Sequence, residues 1–275
     1  MSACSPSAQA FDCGQPGIDL WLADYSEASS PCLQAGMRQL LNDSERAQQT
    51  RFHFADDRLR YLVTRAMVRT VLSRYAAVAP SAWEFTTNAY GRPGLAAHHG
   101  IPALRFNISH TRGLIALAVS AGRALGVDVE HVAARAGASG IASHFFSSVE
   151  AAALASLPQE QRQERFFEYW TFKESYIKAR GRGLSLPLDQ FSFHFPDPQA
   201  VHISFDEGFD DADPQRWCFW QSRPAPGYLL ALCAECNGGN APTITVRKVL
   251  PLVNESLVDA TWLRTSAAMQ QQSRR

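Results

Sequence analysis

Between Asp56 and Tyr75 the chain reads DDRLRYLVTRAMVRTVLSRY, and Leu59, Leu62, Val63, Ala66, Met67, Thr70 and Val71 recur every three or four positions. That period lays an apolar stripe along one side of an α-helix and leaves the arginines on the other faces. Residues 162–180 predict a second long helix, which Gly181 and Gly183 end and Pro187 keeps from resuming. A shorter helix is predicted over 147–157, with Ser147 or Ser148 as cap and Glu150 near its first turn, and Asn42-Asp43-Ser44-Glu45 resembles another helix start. Elsewhere the period falls to two. IDLWLADY (18–25), LRFNISH (104–110), LIALAVSAG (114–122) and LGVDVE (125–130) read as strands, as do segments at 191–195, 216–222, 228–235 and 244–252. TNAYGRPG (87–94) is a turn cluster, HVAARAGASG (131–140) a loop of small residues, residues 1–20 a lead-in, and TSAAMQQQSRR a polar, frayed tail.

These elements make an α+β protein whose halves rhyme. RFHFADDR leads into a long helix and then the strands at 104–122; HFFSSVEAA leads into the 162–180 helix and then the strands at 216–235. A weak internal duplication accounts for this, with an N-terminal α+β lobe at 1–124, a C-terminal α+β lobe at 125–252 and a polar tail at 253–275. Two such halves create a cleft between them, a common position for a ligand.

The 275 residues carry 26 basic and 26 acidic side chains, so net charge gives no sign of a nucleic-acid partner. The distribution is uneven: Arg51, Arg58, Arg60, Arg65, Arg69 and Arg74 crowd one segment. No apolar run is long enough to span a bilayer, and the N-terminus has no secretory pattern, so a cytoplasmic protein with free thiols and no membrane partner is expected. Cys233 and Cys236 form a CxxC, but it sits at the end of an apolar strand with no second pair, which weighs against zinc or redox chemistry.

Within GVDVE, alternation puts Asp128 and Glu130 on one face. Adjacent carboxylates repel unless a cation or a raised pKa offsets them, and hard oxygen donors suit Mg²⁺. Two acids at a solvated strand end would leave the same pattern. In FNISHT, Asn107, Ser109 and Thr111 share a face if the strand continues, and His110 at a strand end can donate to phosphate or simply cap a turn. Arg92 stands on a rigid turn between Gly91 and Pro93. Only three of the basic residues are lysines, Lys173, Lys178 and Lys248, and two of these flank Glu174 in WTFKESYIK. Trp170, Glu174 and Lys178 share a helix face, whereas Lys173 faces elsewhere.

FNISH, GVDVE and WTFKESYIKARGRGLSLPL, in that order, resemble the 4′-phosphopantetheinyl transferases, specifically the surfactin-type monomeric, two-lobed group. The resemblance runs from about Arg51 to Phe193. It implies a pseudo-twofold fold in which coenzyme A binds between the lobes, with Mg²⁺ on its diphosphate. A serine of an apo acyl or peptidyl carrier protein then takes the phosphopantetheine arm, and 3′,5′-ADP leaves. Carried over position by position, Asp128, Glu130 and Glu174 correspond to the metal-binding acids, Glu174 being also the general base. Lys178 corresponds to a phosphate-contacting lysine. Phe106, Asn107, Ile108, Ser109, His110 and Thr111 form a wall of the coenzyme site, with Ser109 and His110 on phosphate. Tyr90, Gly91, Arg92 and Pro93 match a Gly-Lys-Pro turn near the adenine, and Arg51 and Arg60 match basic positions for the 3′-phosphate end. Arg92 and Arg182 stand where relatives often carry lysine, and relatives do not all keep an acid at Glu130. A monomer is expected, since one chain supplies both sides of the cleft. Arg180 and Arg182 are candidates for docking an acidic carrier, which the sequence does not assign to fatty-acid, polyketide or nonribosomal-peptide synthesis.

Two other readings fit parts of the pattern. A Mg²⁺-dependent nuclease would also use an acidic strand and a Glu/Lys helix, but a broader basic surface is expected of it, and it leaves FNISH unexplained. A carrier-binding module without chemistry would not need the full set of acids with Lys178.

Overall fold

The computed structural model describes residues 17–134, 145–211, 213–236 and 241–266. The first 16 residues of the lead-in, most of the small-residue loop at 131–140, and the tail after residue 266 lie outside the described residues. Two sheets form its centre. The first has the order β12-β11-β1-β5-β4, where β1 is Ile18–Asp24, β4 Leu104–His110, β5 Leu114–Ala121, β11 Ile244–Leu250 and β12 Asn254–Val258. The second has the order β13-β9-β10-β6, with β6 Leu125–His131, β9 Trp217–Ser222, β10 Tyr228–Glu235 and β13 Trp262–Thr265. Both are antiparallel except for the β1–β11 pair.

Alternation along these strands builds three cores. On β5, Ile115, Leu117 and Val119 face the long helix α3 (Ala55–Leu72), where they meet Leu62, Val63, Ala66, Met67 and Val71. The intervening Ala116 and Ala118 join Ile18, Leu20 and Leu22 against Val127, Val129, Leu230 and Leu232 of the second sheet. The far side of that sheet carries Phe219 and Ala231, which pack under Phe172 and Tyr176 of α5 (Gln159–Arg180). The layers therefore run helix, sheet, sheet, helix. The predicted helices and central strands are present, and α4 (Ser148–Ala155) begins with a Ser147–Glu150 capping box. The two halves share an apolar core in which Ile18, Leu20 and Ala116 meet Val127, Val129 and Leu230. No helix among the described residues is long and apolar enough to cross a membrane.

The C-terminal residues correct the sequence reading. The strand at 244–250, assigned to the second lobe, lies beside β1 in the first sheet. Without it β1, whose side chains are nearly all buried, would present a row of unpaired N–H and C=O groups. Residues 254–258 and 262–265, read as polar tail, are edge strands of the first and second sheets. On this edge Glu255 pairs with Arg74 at 2.6 Å, while Leu257 is exposed. Helices α1 (Pro31–Leu40) and α2 (Asp43–Arg51) precede α3; α2 begins where the sequence suggested a helix start, and Asn42 and Glu45 form a capping box there. The expectation of free thiols is corrected at one pair. Cys218 and Cys236 form a disulfide, and Cys233, the other half of the CxxC, is a buried free thiol.

Candidate active site

The FNISHT row is an inter-sheet zipper. β4 and β6 are neighbouring edges of different sheets, and side chains of one take the main-chain donors of the other. Asn107 Oδ1 accepts from Val127 N at 2.9 Å, Ser109 Oγ from Val129 N at 3.3 Å, and Thr111 Oγ1 from His131 N at 3.3 Å. Alternate residues from Asn107 to Thr111 thus satisfy alternate N–H groups of β6, which holds Asp128 in register with Ser109. Asn107→Ala is expected to lower unfolding free energy by about 1–3 kcal/mol, because it leaves the buried Val127 N–H unpaired; urea denaturation checks this.

Above β6 lies α5. A Cβ on Gly126 would fall inside contact distance of Ser175 O and Ala179 N, so only glycine lets the helix settle this close to the strand. The helix then sets Trp170 and Lys178 over the carboxylates of the strand. Lys178 Nζ lies 2.6 Å from Asp128 Oδ1 and donates to Ser109 Oγ at 3.0 Å; Ser109 Oγ itself donates to Asp128 Oδ1 at 2.9 Å. Two turns earlier, Trp170 Nε1 donates to Glu130 Oε1 at 3.2 Å. Glu174 stands midway on the same helix face and is half-buried.

Among the described residues no three His, Cys, Asp or Glu side chains form a metal cluster, so Asp128, Glu130 and Glu174 do not stand as a ready-made trio. One observation does fit a cation. Asp128 is buried, and its Oδ2 has no hydrogen-bond partner, a hard oxygen donor left free on a carboxylate whose other oxygen is fully used. Glu130 fits less well, since one of its oxygens is taken by Trp170.

The other predicted residues divide. Arg51 lines a cavity of about 780 Å³ with Pro93, with Arg65 of the arginine-rich segment, and with Tyr61, Thr86 and Thr87, which the sequence reading did not single out. Tyr61 and Arg65 are four apart on α3, and that spacing beside the arginine-rich segment was the available signal. His110 ends β4 on the exposed side. Partial desolvation and the Arg60 guanidinium hold its pKa below the ordinary histidine value, so it is neutral at pH 7. Arg60 itself pairs with Asp57 at 2.6 Å. Phe106 is buried and packs edge-on against Phe85, as part of the α3 core rather than of a ligand wall, while Ile108 is half-buried against the same core. Tyr90 is exposed, and Gly91 turns the β2–β3 hairpin (Phe85–Thr87, Pro93–Leu95) at φ 82°.

Arg92 departs from expectation. Its guanidinium points back across the lobes, donating to Ala179 O at 3.0 Å and Leu125 O at 3.2 Å, and Asn88 Nδ2 beside it donates to Gly181 O at 2.7 Å. Arg180 and Arg182 are likewise engaged internally: Arg180 with Asp210 and Asp211, each at 2.9 Å, and Arg182 with Asp210.

A family model described as the 4′-phosphopantetheinyl transferase superfamily matches residues 124–233, and one described as 4′-phosphopantetheinyl transferase, N-terminal, matches residues 29–122. A 4′-phosphopantetheinyl transferase of Bacillus subtilis is 33% identical over 199 residues, covering 72% of this chain and 84% of that protein. The chain belongs to the 4′-phosphopantetheinyl transferase superfamily. The transferase HetI of Nostoc sp. is 37% identical over 168 residues, 61% of this chain and 70% of that one. The transferase Sfp of Bacillus subtilis is 32% identical over 195 residues, 70% of this chain and 82% of that one. The two matched segments of this transferase meet at the tight β5–β6 turn around Gly122, where one sheet hands over to the other. The nuclease reading finds no support.

Proposed function

We propose that this transferase moves the 4′-phosphopantetheine arm of coenzyme A to a serine hydroxyl of an apo acyl or peptidyl carrier protein and releases 3′,5′-ADP. The observation that carries the reading is the Ser109–Asp128–Lys178 cluster under the Glu174-bearing face of α5, in a chain of this family. Asp128 and Glu174 would hold Mg²⁺, with Glu130 as a weaker third donor. An ion held there would neutralise charge on the coenzyme diphosphate. Glu174 takes the proton of the attacking serine as its oxygen bonds to the β-phosphorus, and the bond to the bridging oxygen of the leaving 3′,5′-ADP breaks. Lys178 supplies a compact positive charge to the phosphoryl oxygens. Ser109 fixes that ammonium, and His110 donates to coenzyme phosphate. Arg51 and Arg65 in the α2–α3 cavity suit the 3′-phosphate end.

The test is incubation of the chain with coenzyme A, Mg²⁺ and a panel of apo carriers. A carrier mass gain of one phosphopantetheine unit is expected, and no gain on any carrier would overturn the reading. Glu174→Gln keeps size and shape but cannot accept the proton; its kcat is expected to fall by about 10²–10⁴-fold, the range of a lost general base. Near-normal turnover would remove that role. The neutral state of His110 predicts a pH dependence. Bound phosphate raises the imidazole pKa, so coenzyme binding tightens as pH falls through the region below 6.5. The slope difference between the wild type and His110→Gln reads this out.

The enzyme is proposed to act as a cytoplasmic monomer, since one chain supplies both halves of the site.

A further inference from the structure

The zipper between β4 and β6 stops one step short. Asn107, Ser109 and Thr111 each take a β6 donor, and the same row on β4 continues back to Arg105, which is exposed and has no ion-pair partner among the described residues. Here the seam opens into a cavity of about 310 Å³, lined by Arg92, Arg105, Arg180, Arg216, Trp217 and Glu235 among others. It sits at the opposite end of β4 from His110, and four residues of strand, about 13 Å, separate Arg105 from Ser109.

The charges of this cavity do not cancel. Arg180 is matched by Asp210 and Asp211, and Arg216 lies 2.6 Å from Glu235. Those pairs use the acids at hand. Arg92 donates to two main-chain carbonyls and has no ion-pair partner among the described residues. Arg105 adds a second. Arg92 and Arg105 line this one cavity, and burial first, then the Arg105 charge, hold the Arg92 pKa below the ordinary arginine value. A dianion between them relieves the repulsion, and guanidinium forks match phosphate geometry.

We propose that this cavity binds a phosphate dianion, free or carried on a small organic molecule, at a site separate from the transferase chemistry. The proposal does not depend on the carrier-modifying reaction. The sole carboxylate in the lining, Glu235, is held away by Arg216 and by the Ala124 N–H at 3.1 Å.

The test is calorimetric titration of the full chain with inorganic phosphate, without Mg²⁺ or coenzyme A, at constant ionic strength because exposed charges are salt-screened. Saturable binding is expected. Arg105→Gln, at an exposed position outside the transferase machinery, should weaken it by about tenfold or more, the value of a hydrogen bond between charged groups. Arg105→Lys should lose less, and transfer activity without added phosphate should stay at the wild-type level in both. Arg51→Gln, at the coenzyme cavity, should leave this phosphate affinity unchanged. Wild-type affinity in Arg105→Gln, loss in Arg51→Gln alone, or no phosphate binding by the wild type would each overturn the proposal. A parallel titration with adenosine 5′-monophosphate separates the sources. Tighter Arg105-dependent binding than that of phosphate assigns an organic phosphate, and weaker binding assigns the free ion.

Discussion

Asp128→Asn is expected to lower transfer of phosphopantetheine by about 10⁴-fold or more, about 5.5 kcal/mol of transition-state stabilisation, while the protein stays folded. The substitution is nearly isosteric. The amide oxygen can still accept from Ser109, so the β4–β6 register survives. What changes is charge and donor sense. Oδ2, buried without a partner, is the atom free to meet a cation; an amide NH₂ in its place donates and repels one. Lys178 also loses its countercharge at 2.6 Å, so the ammonium that serves the phosphoryl oxygens is no longer held. Lys178 keeps about a quarter of its side-chain surface in solvent, which moderates the stability cost of the lost pair. Mass spectrometry of the carrier gives the rate, and circular dichroism melting gives the fold. Turnover within tenfold of the wild type would show that neither the cation nor Lys178 depends on this carboxylate.

Much of this arrangement is legible in the sequence because it is local. Strand alternation puts Asn107, Ser109 and Thr111 on one face and Asp128 with Glu130 on another, and helix periodicity aligns Trp170, Glu174 and Lys178. Residues 2 or 4 apart need only the geometry of their own element. What was not legible depends on partners distant in the chain. Nothing in ITVRKVL says that it will run parallel to β1 more than 220 residues away, because periodicity encodes a buried face and not a neighbouring strand. Arg92 on its turn has the pattern of a phosphate ligand, yet its donors find the carbonyls of Leu125 and Ala179 on the other half. Cys236 pairs with Cys218 rather than acting with Cys233, since β9 and β10 are adjacent strands. Lys173 has the sequence context of a surface lysine, and only a glutamate 23 positions earlier makes its burial possible.

That lysine carries the largest stability effect expected. Lys173→Met is predicted to cost about 3–5 kcal/mol of unfolding free energy, the loss seen when one member of a buried pair is removed. Both Lys173 and Glu150 are fully buried, 2.8 Å apart. The ammonium uses all three of its donors: Glu150, Leu188 O at 2.6 Å and Phe191 O at 2.7 Å. Glu150 is equally committed, accepting from Ser147 N at 3.0 Å and Phe193 N at 2.9 Å. Four segments therefore converge on one ion pair: the start of α4, the middle of α5, the turn after α5 and β7 (Phe191–His194). Burial pushes the Lys173 pKa down and Glu150 works against that shift, so the pair remains ionic only while both members are present. Methionine fills the space but leaves a buried carboxylate without its countercharge and takes the ammonium donor from two carbonyls. Against a total stability of about 5–15 kcal/mol, such a loss is readily measured by urea unfolding. Glu150→Gln should be costly as well, and Lys173→Met with Glu150→Gln should cost clearly less than the sum, because the second change removes the stranded charge. Simple additivity would mean that the two side chains do not act as a pair. At a temperature where Lys173→Met is still folded, its KM for coenzyme A should be close to that of the wild type, since Lys173 positions α5 from inside the core while Lys178, five residues on, faces the substrate; a large rise in KM without unfolding would place Lys173 in the coenzyme site instead.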